Sequence, residues 1–161
     1  MKLNALVDEL SAFLLAQDHG QPFVFGISGG QGAGKSTLCQ ALEKKLATQG
    51  KTTLTLSLDD FYLSKAARQK LADDVHPLCA TRGVPGTHDV AQLADVLSKL
   101  DGISAATPLA VPRFSKSHDD KLDDVMVSAR PDFVLLEGWC VGGHADCIEA
   151  VAQNDWEIEH D

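Results

Sequence analysis

Apolar positions change their period several times along this chain, and each change predicts an element. Leu3, Leu6, Val7, Leu10 and Leu14 recur at helical spacing, which predicts an amphipathic helix over residues 2–17 that ends near Gly20. The run Phe23-Val24-Phe25-Gly26-Ile27-Ser28 reads as a buried strand. Leu38, Ala41, Leu42 and Leu46 return to one helical face, and this second helix should stop at Gly50. Residues 52–58, rich in Thr and Leu, predict a second strand that ends at Asp59-Asp60. Residues 64–75 read as a short helix capped by Ser64, followed by a stretch rich in Pro, Gly and His over 76–88. Asp89, with Gln92 three residues on, forms a capping box for a helix through Leu100. Its apolar face is Val90, Leu93, Leu97 and Leu100, and Asp101-Gly102 closes it. Leu109-Ala110-Val111 predicts a third strand. Phe133-Val134-Leu135-Leu136 is apolar throughout, as expected of a strand buried on both faces. Strands alternating with helices predict an α/β fold with a mainly parallel sheet. The chain has no internal repeat and no low-complexity segment.

Between the first strand and the second helix lies Gly29-Gly30-Gln31-Gly32-Ala33-Gly34-Lys35-Ser36, which fits G-x-x-x-x-G-K-[ST] at every fixed position. Strand, glycine loop and helix in that order are what the motif needs. The glycines let successive backbone N–H groups turn inward, and the helix that follows adds the positive end of its dipole. Lys35 would reach the β- and γ-phosphates and Ser36 would hold Mg²⁺, with Thr37 completing the first turn. The expected binding set is therefore residues 29–37, and the expected ligand is a nucleoside triphosphate with Mg²⁺.

Composition narrows the partners. At 161 residues the chain is one domain's worth, able to bury roughly two-thirds of its unfolded surface. A net charge of −9 argues against an extended nucleic-acid footprint, but not against a phosphate site built on a few local cations. Cys39, Cys79, Cys140 and Cys147 show no metal-ligand spacing and suggest free thiols in a reducing compartment. The N-terminus does not read as a signal peptide and no apolar run reaches membrane-spanning length, so the expectation is a cytoplasmic protein without membrane contact.

In an open parallel sheet, ligands gather outside the carboxyl ends of the strands. Glu137 ends the fourth predicted strand and suits an acidic residue supporting Mg²⁺ or its waters. Asp59 and Asp60 end the second strand and offer a base for a hydroxyl nucleophile, which phosphoryl transfer needs besides alignment and charge neutralisation. Arg82, in Arg82-Gly83-Val84-Pro85-Gly86-Thr87-His88-Asp89, joins Arg113 and Lys116 as cations on glycine-rich and strand-end loops, suited to an anionic ligand. His118-Asp119-Asp120 and Asp123-Asp124 read as a solvated loop rather than metal ligands. His76, His144 and His160 carry no signal.

Several segments together resemble one family. Leu58-Asp59-Asp60-Phe61-Tyr62-Leu63, then 82–89, then Pro112-Arg113-Phe114-Ser115-Lys116-Ser117, then Leu136-Glu137-Gly138-Trp139 are similar, in this order, to segments of the D-glycerate 3-kinases. These are P-loop kinases related to pantothenate kinase, uridine kinase and phosphoribulokinase. The resemblance covers roughly residues 22–143 and implies a three-layer P-loop NTPase fold. It implies that Lys35 and Ser36 serve ATP and Mg²⁺ and that Asp59 is the base. It also implies that Asp60, Tyr62, Arg82, His88, Arg113 and Lys116 meet a small anionic acceptor with a hydroxyl, glycerate first, or pantothenate, a nucleoside or a sugar phosphate. Ser115 stands where the family often has Asp. The family's chains continue well beyond Asp161, and 154–161 resemble the start of that continuation. The expectation is thus a single kinase domain over 1–161 that lacks a lid and a C-terminal strand, leaving the phosphate-loop strand at a sheet edge, with turnover in doubt.

Overall fold

The computed structural model describes residues 3–143, so Cys147, His144, His160 and the segment 154–161 lie outside the described residues. Helices α1 (Leu3–Ala16), α2 (Lys35–Ala47), α3 (Lys65–Asp74) and α4 (Val90–Ser98) alternate with strands β1 (Phe23–Ser28), β2 (Thr53–Ser57), β3 (Leu109–Ser115), β4 (Asp120–Val127) and β5 (Phe133–Gly138). The central sheet is parallel in the order β1-β5-β2. No helix among the described residues is long and apolar enough to cross a membrane.

Strand β5 is buried along its whole length and organises two cores. Its alternate residues face opposite sides, as the pleat requires. Phe133 and Leu135 pack with Val7 and Leu14 of α1, Cys39, Leu42 and Leu46 of α2, and Ile27 of β1. Val134 and Leu136 pack on the other face with Leu56, Phe61, Val96, Leu100, Leu109 and Val111. Helices thus cover one face, and α4 with part of β3 covers the other. Cys39 is a small core hydrophobe here: burial, reinforced by the Glu137 carboxylate, pushes its thiol up to about 11.

Local chemistry explains the helix starts. The Ser64 hydroxyl accepts from Ala67 N at 3.2 Å and the Asp89 carboxylate accepts from Gln92 N at 2.9 Å, caps worth about 1 kcal/mol each. Only half of the predicted capping box forms. Gln92 Oε1 instead accepts from Lys121 Nζ at 2.8 Å, and Asp89 N donates to Phe61 O at 2.7 Å.

Four expectations need correction. The third strand is not part of the parallel sheet: β3 pairs antiparallel with β4 in a separate two-stranded hairpin. The segment read as a solvated loop therefore contains a strand, whose residues 122–126 are exposed. Its alternation is masked because Lys121, Asp123 and Asp124 interrupt the apolar pattern. In α4 the inward face includes Val96 while Val90 is 66% exposed, because the cap turns the first helical residue outward. Asp59 and Asp60 lie just past β2, in a 3₁₀ turn over Leu58–Phe61. Among the described residues β1 pairs with β5 on one side alone.

Candidate functional site

The register of the parallel sheet builds the site. Ile27 and Ser57 both lie opposite Glu137, and Ser28 lies opposite Gly138, so three strand ends finish level with one another. From β1 the chain enters the glycine loop, where Gly32 and Gly34 take left-handed φ values of 73° and 87°. Cβ atoms added at Gly30, Gly32 or Gly34 would meet nothing within 4 Å, so these positions border open space. Gly34 caps α2 with no side chain of its own, and the first N–H groups of α2 are left for an anion. Lys35 Nζ donates to the carbonyls of Gly29 at 2.8 Å and Gly30 at 3.0 Å, which curls the ammonium over the loop.

Glu137 is buried at the end of β5, and its Oε1 accepts from Ser36 Oγ at 3.3 Å and Ser57 Oγ at 3.1 Å. Ser57 was not singled out in the sequence, since a serine closing a Thr-rich strand carries no signal until register sets it opposite Glu137. No group of three or more His, Cys, Asp or Glu side chains among the described residues could hold a metal by itself. One carboxylate beside one hydroxyl is nonetheless what Mg²⁺ uses when phosphates and waters supply the remaining ligands. The donor set therefore fits the ion.

Two adjoining cavities open here. One, of about 240 Å³, is lined by Lys35, Ser36, Glu137 and the loop residues Gln31 and Gly32. The other, of about 520 Å³, is lined by Tyr62, Arg82, Gly83 and Gly30. Gln31, Asp59, Lys116 and Trp139 line both. Asp59 Oδ2 lies 2.6 Å from Lys116 Nζ, and the lysine side chain is 63% exposed. Burial pushes the Asp59 carboxyl up, but Lys116, the Tyr62 hydroxyl and the nearby His88 outweigh it and hold it below the usual range. Tyr62 moves the other way, up to about 12, through burial and then the Asp59 charge. It stays protonated beside the Asp59 carboxylate.

Asp60, by contrast, is tied into the fold. Its Oδ2 accepts from Arg113 Nη1 at 2.7 Å and its Oδ1 from Phe114 N at 3.1 Å, which fastens the 3₁₀ turn to β3. Neither Asp60 nor Arg113 lines either cavity. His88 also stands behind the wall, stacked on Tyr62 with ring centroids 4.2 Å apart. Burial pushes its imidazole below the ordinary value against the pull of Asp59, and its Nε2 has no hydrogen-bond partner.

The segment 82–89 owes its composition to this geometry. Gly83 and Gly86 take φ values of 94° and 87°. The buried Thr87 Oγ1 accepts from Gly83 N at 3.2 Å and donates to Val84 O at 2.6 Å, folding the loop on itself. That knot presents Arg82 to the larger cavity while Asp89 caps α4. Arg82 Nη1 is held by Asp119 Oδ1 at 2.5 Å. Asp119 and the buried Arg68 behind it were both missed. Arg68 reads as an ordinary exposed cation in a polar helix, and Asp119 lay in the segment taken for a solvated loop.

A glycine loop between a parallel strand and a helix, a buried acidic strand end beside it, and a second cavity lined by cations together define a P-loop domain of the kinase type. The chain belongs to the KAP family P-loop domain, whose family model matches residues 3–154. It is 38% identical over 152 residues to a fission-yeast (Schizosaccharomyces pombe) protein called uncharacterized kinase mug58, covering 87% of this chain and 54% of that protein. It is 33% identical over 147 residues to the chloroplastic D-glycerate 3-kinase of Arabidopsis thaliana, covering 83% of this chain and 32% of that enzyme. Among solved structures, a D-glycerate 3-kinase from Cryptococcus neoformans superposes with a TM-score of 0.79 at 30% identity, over 92% of this chain and 57% of that one. The chain thus spans between a third and somewhat over half of the length of these relatives.

Proposed function

We propose that this domain carries the phosphoryl-transfer site of an ATP-dependent kinase whose acceptor is the hydroxyl of a small anion, D-glycerate. The observation that carries the reading is Asp59, a carboxylate on the wall shared by a phosphate cavity and a cation-lined cavity. The triphosphate lies in the glycine loop with Lys35 drawn off its two carbonyls onto the β- and γ-phosphates. Ser36 and Glu137 would hold Mg²⁺, which when bound neutralises charge on the phosphate oxygens. The acceptor enters the larger cavity with its carboxylate toward Arg82 and Lys116. An anion that draws Lys116 away leaves an Asp59 oxygen free to take the hydroxyl proton. The acceptor oxygen then bonds to the γ-phosphorus as the bond to the β-phosphate oxygen breaks, and ADP departs. Tyr62 fixes the orientation of Asp59, and His88 supports Tyr62 from behind. Asp60 and Arg113 act together one layer back, by anchoring the turn that carries Asp59.

The test is product formation, followed by mass spectrometry, from Mg²⁺-ATP with D-glycerate, pantothenate or uridine. The expected outcome is a phosphorylated D-glycerate, lost in Lys35→Ala together with ATP binding measured by calorimetry. Phosphorylation of pantothenate or uridine in preference would keep the kinase and replace the acceptor. ATP binding without any product would reduce the chain to a nucleotide-binding module, and unchanged ATP affinity in Lys35→Ala would remove the phosphate-loop reading.

A further inference from the structure

Arg68 is 0% exposed, an unusual fate for an arginine on a helix whose other residues are mostly polar. Its guanidinium is satisfied on three sides. Nη1 donates to Leu63 O at 2.7 Å, Nε to Ala80 O at 3.4 Å, and Nη2 to both Asp119 O at 2.9 Å and Asp119 Oδ2 at 2.7 Å. The Phe114 ring lies 5.5 Å from its central carbon. The other oxygen of Asp119 takes Arg82 Nη1. One carboxylate is therefore clamped between a buried guanidinium and a half-exposed one that lines the larger cavity. Asp119 reaches both from a left-handed backbone, φ 54°, a conformation no other described non-glycine residue takes.

Burying one member of an ion-paired triad, Arg68, is a poor device for stability, since its desolvation offsets most of the attraction. The triad's charge arithmetic is more informative. Lys116 on Asp59 and Arg113 on Asp60 are one-to-one pairs, each formally neutral. A lone carboxylate holding Arg82 would likewise cancel the charge meant for the ligand. With Arg68 behind it, the carboxylate is already balanced, and the Arg68–Asp119–Arg82 unit keeps one net positive charge, carried by the member facing the cavity. The grip is also directional. It occupies Nη1 of Arg82 and leaves the other edge of the guanidinium fork to face a carboxylate or phosphate, the geometry in which arginine binds most strongly.

We propose that Arg68 and Asp119 are positioning residues that hold Arg82 aimed into the acceptor cavity while leaving its charge uncancelled. The assignment of that cavity to the acceptor rests on the kinase reading above. The arrangement itself does not. The same hairpin turn carries Lys116 at its start and Asp119 at its end, so β3–β4 sets both cationic contacts of the cavity at once.

Asp119→Asn is the variant of choice, because asparagine accepts a left-handed backbone and Arg68 keeps its three main-chain acceptors. Two readouts are needed. In nitrogen-edited NMR of arginine Nε–H groups, the variant should mobilise Arg82 and leave Arg68 ordered. In kinetics, KM for D-glycerate should rise about ten- to hundredfold with KM for ATP unchanged, the loss expected when a binding group is misplaced. In an Arg82→Ala background the same substitution should add nothing further, because it acts through Arg82. Additive effects, equal losses for both substrates, an Arg82 that stays ordered, or a variant that no longer folds would each overturn the proposal. Should the parent chain not phosphorylate D-glycerate, the acceptor reading fails, and the NMR comparison still decides whether Asp119 orders Arg82.

Discussion

Adjacent carboxylates at the end of β2 meet different surroundings, and those surroundings divide their roles. Both oxygens of Asp60 are taken by Arg113 and Phe114 N, whereas Asp59 is held by a single flexible lysine and a tyrosine hydroxyl. A base must be able to shed its partners when the acceptor arrives, and of the pair Asp59 is built to do so. The sequence could name the pair but not choose within it by chemistry, since the choice depends on which side of the 3₁₀ turn faces β3. His88 yields a pH prediction. Its folded-state pKa is depressed, with burial as the leading cause. Protonation therefore costs the folded chain more than the unfolded one. The contribution is intact above the unfolded value of about 6.5 and is lost as pH falls from there through the lower folded value. The depressed carboxylates Asp18, Asp59, Asp119 and Asp120 add their own loss only as pH falls through the acid range around 3.8 and lower. Thermal melting should thus fall between pH about 7.5 and about 5.5, and the fall should be smaller in His88→Gln, whatever that variant's absolute stability. Parallel melting-pH curves for the two proteins would contradict it.

At the scale of elements, the close approach of β5 to the 3₁₀ turn is what sets Asp59 over the phosphate loop. Gly138 makes this possible: a Cβ there would sit 2.7 Å from Leu58 Cβ and 3.0 Å from a Val141 methyl. Gly138→Ala should therefore push the turn away from β5, costing about 1–3 kcal/mol by overpacking. Turnover should fall further than stability alone explains, because Asp59 rides on that turn. Denaturant midpoints alongside rates at a temperature where the variant remains folded check this, and an unchanged rate would show that the approach is not needed. The elements themselves were mostly legible. The helical patterns became α1, α2 and α4 and the two apolar runs became β1 and β5, although β1, read as a buried strand, buries only Ile27. Ser64 and Asp89 acted as the caps their spacing announced. The β3–β4 hairpin was not legible in full. Its second strand exposes five consecutive residues, 122–126, and sets Asp123 and Asp124 side by side, and neither an apolar run nor a Gly-rich turn marks its start.

For the whole molecule, one strand joins both halves of the site. β5 divides the cores, and its end delivers Glu137 to the phosphate loop and Gly138 to the turn carrying Asp59, with Trp139 on the wall of both cavities. The form of the glycine loop was readable from residues 29–36, because a local motif carries its own backbone geometry. The larger cavity was readable only as separate cations. Pairings such as Arg68 with Asp119, 51 residues apart, arise from topology and leave no periodic trace. In the proposed mechanism Asp59, which lines both cavities, serves the acceptor without being part of the nucleotide's own binding set. This role is tested most directly by Asp59→Asn, with ATP affinity and D-glycerate phosphorylation measured on the same preparation. ATP binding should stay close to that of the parent chain while turnover falls by about two to four orders of magnitude, the range for a positioned base. Full turnover in that variant, or an equal loss of ATP affinity, would contradict it.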